Sequence, residues 1–266
     1  MISKNSAVGV VAGLLLAGLA GQAFAGTVYS NIPAVLDHNY PSLGYQATQT
    51  DEFGDRINLA GTDRGLTSIT VTLSSWARSE DYGFATSFNH DLTLNVYDAG
   101  SGLLPGALLG TITQNFSILY RPVGWDRNGI AQNVTFDFTS LGLVLPNSIV
   151  VGLAYNTQTY GANPIGSDGP YNSLNFAVND AVGGGITVGS NDDLDDVMWD
   201  TATAGWYADG GAGGVGIFRR DTNWTGYAPM IQVETVAVPL PTSALMGFGL
   251  LGLAAFIRRR KAQIEV

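Results

Sequence analysis

The chain has 266 residues, with 12 basic and 22 acidic side chains, a formal net charge of −10 and no cysteine. The lack of cysteine excludes disulfides and thiolate metal sites. Five of the basic residues and one acidic residue lie in the first 25 or last 29 positions, so residues 26–237 carry a net charge of −14 and no lysine. This acidic composition argues against nucleic acid and anionic lipid as partners.

The N-terminus has the pattern of a secretory signal peptide. Lys4 precedes an apolar run from Ala7 to Ala20, and Ala23 and Ala25 form a small-x-small cleavage site. We therefore expect residues 1–25 to be removed on export. A retained N-terminal anchor is the alternative interpretation.

Residues 26–237 repeatedly alternate apolar and polar side chains at the period of a β-strand. Ile69–Ser74 and Leu92–Tyr97 show the clearest alternation. Further candidate strands are Ile112–Phe116, Val134–Phe138, Ile149–Tyr155, Leu174–Val178, Val215–Phe218 and Met230–Val236. The spacing of these strands and of the turns between them predicts an all-β, jelly-roll-like β-sandwich.

Two local patterns in this region resemble other exported bacterial proteins. The segment LTLNVYDAGSGLLPGALLGTITQNF, from Leu92, is similar to a strand–loop–strand unit of exported jelly-roll domains. The segments EFGD, LAGTDR and SSW, from Glu52, Leu59 and Ser74, resemble a group of uncharacterised exported proteins. The resemblance supports a β-sandwich and implies no activity.

Four carboxylates near the start of this region form the first candidate metal site. They are Asp51, Glu52, Asp55 and Asp63. Clustered carboxylate oxygens suit Ca²⁺, which takes six to eight oxygen ligands. The alternative is that these residues, with Gly54 and Gly61, only form tight turns.

A second acidic segment runs from Asn191 to Asp196. Asn191, Asp193 and Asp195 match the start of an EF-hand loop, but Asp196 replaces its glycine and Ala202 replaces its final glutamate. The sequence leaves open a looser Ca²⁺ loop or a solvated acidic turn. Ca²⁺ is the only cofactor that the sequence suggests.

Three aromatic residues in glycine-rich surroundings are candidates for glycan binding, because flat rings stack on the apolar faces of sugars. They are Trp206, Tyr207 and Trp224. The alternative is that they belong to the core.

Recognisable catalytic motifs are missing from the sequence. The histidines, His38 and His90, do not have metal-ligand spacing, and neither HExxH nor GxSxG occurs. We therefore expect a protein that is not an enzyme. A carbohydrate-active enzyme with two catalytic carboxylates on a jelly roll is the alternative.

The last 29 residues contain, in this order, a proline segment that ends regular structure, an apolar span and a positively charged cluster. Pro239 and Pro241 interrupt regular structure. Residues 242–257 predict a transmembrane helix of about 24 Å. The cluster Arg258, Arg259, Arg260 and Lys261 favours the cytoplasmic side.

This tail resembles the PEP-CTERM sorting signal of Gram-negative bacteria. Val238, Pro239 and Pro241 match the family pattern, the basic cluster matches its end, and Leu240 stands where the family usually has glutamate, a V-P-L-P variant. The resemblance implies transient anchoring in the inner membrane with the body in the periplasm, processing by an exosortase-like enzyme, and release to the cell surface or extracellular matrix. A plain C-terminal anchor is the alternative.

Together these patterns predict an exported cell-surface or matrix protein. We expect a signal peptide over 1–25, a β-sandwich over 26–237 and a sorting tail over 238–266. The expected role is a non-catalytic binding or structural module for exopolysaccharide or another cell-surface glycan. A carbohydrate-active enzyme and a passive coat protein are the alternatives.

Overall fold

The computed structural model describes residues 25–37, 39–102, 104–180, 185–191, 197–201, 217–221 and 226–238. The strands in these ranges are β1 (Gly26–Ser30), β2 (Ser42–Gly44), β3 (Thr50–Asn58), β4 (Gly65–Ser75), β5 (Ser87–Asp98), β6 (Leu108–Leu119), β7 (Ile130–Asp137), β8 (Ser148–Ala154), β9 (Leu174–Asp180), β10 (Val197–Thr201), β11 (Arg219–Asp221), β12 (Tyr227–Pro229) and β13 (Ile231–Val236). The α-helix is α1 (Tyr45–Thr48), and 3₁₀ turns cover Ser79–Tyr82, Thr139–Leu141 and Pro170–Ser173.

The strands form two antiparallel sheets. One has seven strands: it runs β1-β13-β4-β9-β12, with β2 also paired to β9 and β7 to β4. The other has six strands in the order β11-β10-β3-β8-β5-β6. This architecture confirms the prediction of an all-β fold of the sandwich type.

Period-two alternation explains how the sheets share a core. On β4, Ile69, Val71 and Leu73 are fully buried. On β5, Leu92 and Leu94 are fully buried as well. All of them belong to one buried cluster that draws side chains from both sheets. Burying these faces removes apolar area from water, the main favourable term in folding.

Three local features differ from the predictions. Strand β3 was not predicted, and Gly54 lies within it rather than in a turn. Strand β10 is also absent from the candidate strands that the sequence predicts. In the predicted strand Val215–Phe218, only Ile217 and Phe218 are described; they precede β11 and are not in a strand.

Within the described ranges, no helix is both long enough and apolar enough to cross a membrane. The predicted spanning segment, 242–257, lies outside those ranges.

Candidate functional site

Strand β3 separates the carboxylates of the first predicted Ca²⁺ cluster. Phe53 and Ile57 of this strand are core residues. Asp55 lies between them on the same face, so Glu52 points to the opposite face of the sheet. Asp63 lies in the loop after β3, where its backbone carbonyl accepts a hydrogen bond from the Thr235 hydroxyl at 3.1 Å. The structure therefore does not bring Glu52 and Asp55 into one site.

Asp55 instead connects the two predicted acidic segments inside the protein. It is 1% exposed and accepts hydrogen bonds from Asn191 Nδ2 at 2.7 Å and from the Arg56 amide at 2.8 Å. Asp193 and Asp195 lie outside the described residues. Among the residues that are described, no group of three or more His, Asp or Glu is placed to hold a metal ion. Ca²⁺ binding stays a prediction.

Glu52 belongs to a row of residues that crosses the six-stranded sheet. Asp200 of β10 pairs with Glu52, and Glu52 pairs with Ala154 of β8. Ala154 pairs with Thr93 of β5, which pairs with Thr113 of β6. Directly paired residues of antiparallel strands project from the same face. The row is polar at both ends and has the small Ala154 in its middle, so the sheet surface is depressed there.

This depression, which we name the acidic trough, has a volume of about 430 Å³. It is lined by Asp51, Glu52, Asp91, Thr93, Asn95, Thr113, Ala154, Tyr155, Asn156, Ala162 and Asp200. Four of these side chains are carboxylates and none is basic. Hydroxyl, amide and carboxyl groups therefore dominate the surface that a ligand would meet.

Glu52 is the most constrained of the four carboxylates. It is 8% exposed, and it accepts hydrogen bonds from Asn95 Nδ2 at 3.0 Å and from the Tyr97 hydroxyl at 3.1 Å. It lies next to Gly152 of the neighbouring strand, where an added Cβ would stand 1.9 Å from Glu52 Oε1. The absence of a side chain at residue 152 is thus what makes room for the carboxyl group.

Burial raises the pKa of Glu52 to about 7, although the hydrogen bonds from Asn95 and Tyr97 act in the opposite direction. The nearby charges of Asp200 and Asp51 raise the pKa further. A carboxyl group that exchanges its proton near neutral pH can act as a hydrogen-bond donor in one state and an acceptor in the other.

A second depression of about 370 Å³ adjoins the trough. The two share Asp91 and Asn156 as lining residues. Asn115, which also lines the second depression, donates from Nδ2 to Asp91 Oδ1 at 2.7 Å. The shared wall makes the polar surface elongated, which suits an extended chain better than a single small molecule.

His90 forms part of the wall of this second depression. Its ring packs against Tyr155 and Tyr171, with centroid distances of 5.4 and 5.0 Å. Burial lowers the pKa of His90 to about 4, against the effects of Asp91 and of a hydrogen bond with the Asn156 backbone. The imidazole is therefore neutral at physiological pH.

The other predicted site residues are mostly outside the described ranges. These are Ala23, Trp206, Tyr207, Trp224, Pro239, Pro241, Arg258, Arg259, Arg260 and Lys261, together with His38. Ala25 and Val238 are described and exposed at the two ends of the sandwich segment. The Trp199 side chain, in contrast, is 4% exposed and packs on Phe53 at 5.5 Å, so this tryptophan is structural.

Most residues of the acidic trough are not predicted as a site by any pattern in the sequence. Thr93 and Asn95 were visible as the polar positions of an alternating strand, but alternation alone does not distinguish a binding face from a solvated one. Asp91 and Asp200 lie 109 positions apart, and only the strand order brings them to one trough.

Neither protein-family models nor curated proteins nor solved structures gave a match to this chain.

Proposed function

We propose that this is an exported cell-surface or matrix protein whose β-sandwich binds polysaccharide in the acidic trough without cleaving it. The observation that carries the proposal is the cross-strand row from Asp200 to Thr113, which turns one face of the sheet into an elongated polar depression. Sugar hydroxyls both donate and accept hydrogen bonds, and neighbouring Thr, Asn and Asp side chains offer both partners. Because no basic side chain lines the trough among the residues that the structure describes, we expect a neutral or amino-bearing sugar there.

The proposed route of export rests on the sequence termini. Residues 1–25 would direct secretion, and residues 238–266 would hold the chain in the inner membrane until an exosortase-like enzyme releases the body. We also propose that the strands of the sandwich are connected as in a jelly roll. Trp206, Tyr207 and Trp224 are proposed as additional glycan contacts.

Two matched threonine pairs allow a test of the trough. Thr93 and Thr113 share a 2.7 Å hydroxyl contact in the trough. Thr70 and Thr135 share a 2.8 Å contact on the seven-stranded sheet. Cosedimentation of the full chain with the producer's polysaccharide should weaken for Thr93→Val/Thr113→Val and remain unchanged for Thr70→Val/Thr135→Val. Equal loss in both double variants would contradict binding in the trough.

A second candidate function is a carbohydrate-active enzyme, favoured by the environment of Glu52. A buried carboxyl with a pKa of about 7 can protonate a glycosidic oxygen, and Asp51, Asp91 or Asp200 in the same trough can supply the second carboxylate. Polysaccharide chain length distinguishes the two functions. Shortening by the parent but not by Glu52→Gln would establish the enzyme, whereas unchanged length with retained binding supports the non-catalytic module.

A further inference from the structure

A separate cationic depression lies where the chain leaves β4 and β6. We name it the arginine pocket; it has a volume of about 250 Å³ and is lined by Arg78, Glu80, Arg121, Pro122, Gly124 and Trp125. It has no lining residue in common with the acidic trough or the adjoining depression. Any ligand of this pocket is therefore bound by a different set of side chains.

Backbone pairing places the two arginines side by side. The Arg121 amide donates to the Ala77 carbonyl at 2.8 Å, and the Ser79 amide donates to the Arg121 carbonyl at 3.0 Å. This is a one-residue parallel bridge between Arg78 and Arg121. Paired residues of a bridge project to the same side, so both arginine side chains leave the backbone toward the same side.

Arg121 is held in place by an aromatic ring. Its guanidinium carbon lies 5.6 Å from the centre of the Trp76 ring, within the range of a cation–π contact. Its buried Nε has no hydrogen-bond acceptor among the described residues. The contact with the Trp76 ring orders the Arg121 side chain before any ligand binds, which reduces the side-chain entropy lost when its guanidinium group binds an anion.

Glu80 shows that the pocket accommodates a carboxylate. Its side chain forms an ion pair with Arg78. Hydrogen bonds from its own backbone and from Arg78 lower the pKa of Glu80, and the charge of Arg121 acts in the same direction. Because the Arg78 side chain is 55% exposed, solvent screens this pair and an external carboxylate can compete with Glu80.

Other arginines of the sandwich are occupied by hydrogen bonds to the protein's own backbone. Arg64 donates to the carbonyls of Ala60 and Gly61. Arg127 donates to the carbonyl of Asp37. Arg78 has Glu80 as its charged partner instead, so replacing one carboxylate by another leaves the backbone hydrogen bonds intact.

We propose that the arginine pocket binds the carboxylate of a hexuronate residue, an acidic sugar. The planar guanidinium group matches a carboxylate through paired N–H···O bonds. Pro122 and Trp125 add apolar wall to the pocket, and sugar rings have apolar faces that pack on such surfaces. The net charge of −14 on residues 26–237 repels a dianionic phosphate more strongly than a carboxylate of charge −1. This site does not depend on glycan binding in the acidic trough.

The test is isothermal titration calorimetry of the full chain in detergent, with glucuronate, glucose and inorganic phosphate as the titrated ligands. We expect glucuronate to bind, while glucose and phosphate do not bind measurably. Arg121→Gln should weaken glucuronate binding at least ~10-fold, because a charge-assisted bond is lost. Glu80→Gln should strengthen it, because the internal competitor is removed while the side-chain shape is kept.

Two nearby exposed residues outside the pocket lining provide controls. Arg127→Gln and Asp126→Asn change the net charge by the same amounts as the test variants and should leave the affinity unchanged. Several results would overturn the proposal: glucuronate does not bind, phosphate or glucose binds equally well, or Arg127→Gln weakens binding as much as Arg121→Gln. If Thr93→Val/Thr113→Val loses polysaccharide binding but keeps glucuronate binding, the two sites act separately. This result would support the proposal.

Discussion

Glu52 combines burial, two hydrogen bonds and nearby negative charges in one carboxyl group. Its folded-state pKa of about 7 lies above its ordinary value of 4.5, so the folded protein holds this proton more tightly than the unfolded chain does. Stability from this group is therefore fully present below about pH 4.5 and is lost as the pH rises through 7. At neutral pH part of Glu52 is ionised, and burial of this charge lowers the free energy of unfolding.

The first prediction isolates this cost with Glu52→Gln, which cannot ionise. Each pKa unit corresponds to about 1.4 kcal/mol, so the free energy of unfolding of the parent should fall by up to about 3 kcal/mol relative to the variant between about pH 4.5 and 8. Urea unfolding across this pH range measures the difference. A difference that does not change with pH would mean that Glu52 keeps an ordinary pKa.

Two glycines near Glu52 differ in what an added methyl group would meet. At Gly54 the new Cβ would lie 2.1 Å from the backbone oxygen of Val151, which cannot move without disturbing β8. At Gly152 it would lie 1.9 Å from Glu52 Oε1, at the movable end of a side chain. The same substitution is therefore expected to have different effects at the two positions.

The second prediction follows from this contrast. Gly54→Ala should destabilise the fold by about 3 kcal/mol, as overpacking against a fixed neighbour does. Gly152→Ala should cost less, because the Glu52 side chain can rotate away, but should break the hydrogen bonds from Asn95 and Tyr97 and weaken polysaccharide binding. Thermal melts and cosedimentation test both effects. Equal destabilisation by the two variants would show that Glu52 cannot move.

At the scale of elements, Asn31 joins β1 to the strands at the other end of the chain. Its Nδ2 donates to the Pro229 carbonyl at 2.8 Å, and its Oδ1 accepts from the Ile231 amide at 2.7 Å. Asn31 is fully buried. Its side chain thus satisfies the backbone groups on either side of Met230, between β12 and β13.

The third prediction concerns Asn31→Ala, which leaves a buried carbonyl and a buried amide unpaired. Each such group costs about 1–3 kcal/mol, so we expect a loss of about 3 kcal/mol or more in the free energy of unfolding. Asn89→Ala, at an exposed position, is the matched control and should change stability little. Chemical denaturation measures both. A small effect of Asn31→Ala would imply that water replaces the side chain.

Particular strands show what the sequence could and could not predict. Strands β4 and β5 were predicted because their apolar residues alternate without interruption. Strand β3 was missed because Asp51, Glu52, Gly54 and Asp55 dominate its first half, and these residue types are depleted in strands. The acidic trough depends on the order β10-β3-β8-β5-β6, and pairing between segments so distant in sequence is not encoded in local periodicity.

At the scale of the whole molecule, the two proposed recognition surfaces of the acidic sandwich carry opposite charge. The acidic trough has four carboxylates, and the arginine pocket has two guanidinium groups. A polymer with both neutral and acidic sugars could contact the two sites on one protein. Two linked contacts raise the overall affinity above that of either site when the polymer spans both.

The fourth prediction concerns Ca²⁺ and the intact chain. If Asp193 and Asp195 bind the ion, millimolar Ca²⁺ should stabilise the folded state, by about 2.7 kcal/mol at a hundredfold excess over the dissociation constant. Thermal melts in Ca²⁺ and in EDTA measure this, with Asp193→Asn/Asp195→Asn as the variant expected to lose the response. Identical melting temperatures in Ca²⁺ and EDTA would contradict the prediction.

The fifth prediction concerns the sorting of the protein to its cellular location. The apolar segment 242–257 is expected to stop in the inner membrane because the cluster Arg258, Arg259, Arg260 and Lys261 is costly to translocate. Replacing these four residues with Ser should abolish retention and processing. Replacing the three arginines with Lys keeps the positive charge and should preserve retention, so that any change in processing reports recognition of arginine itself. Cell fractionation with detection of the mature body measures both, and release of the Ser variant in the same amount and size as the parent would contradict sorting by this tail.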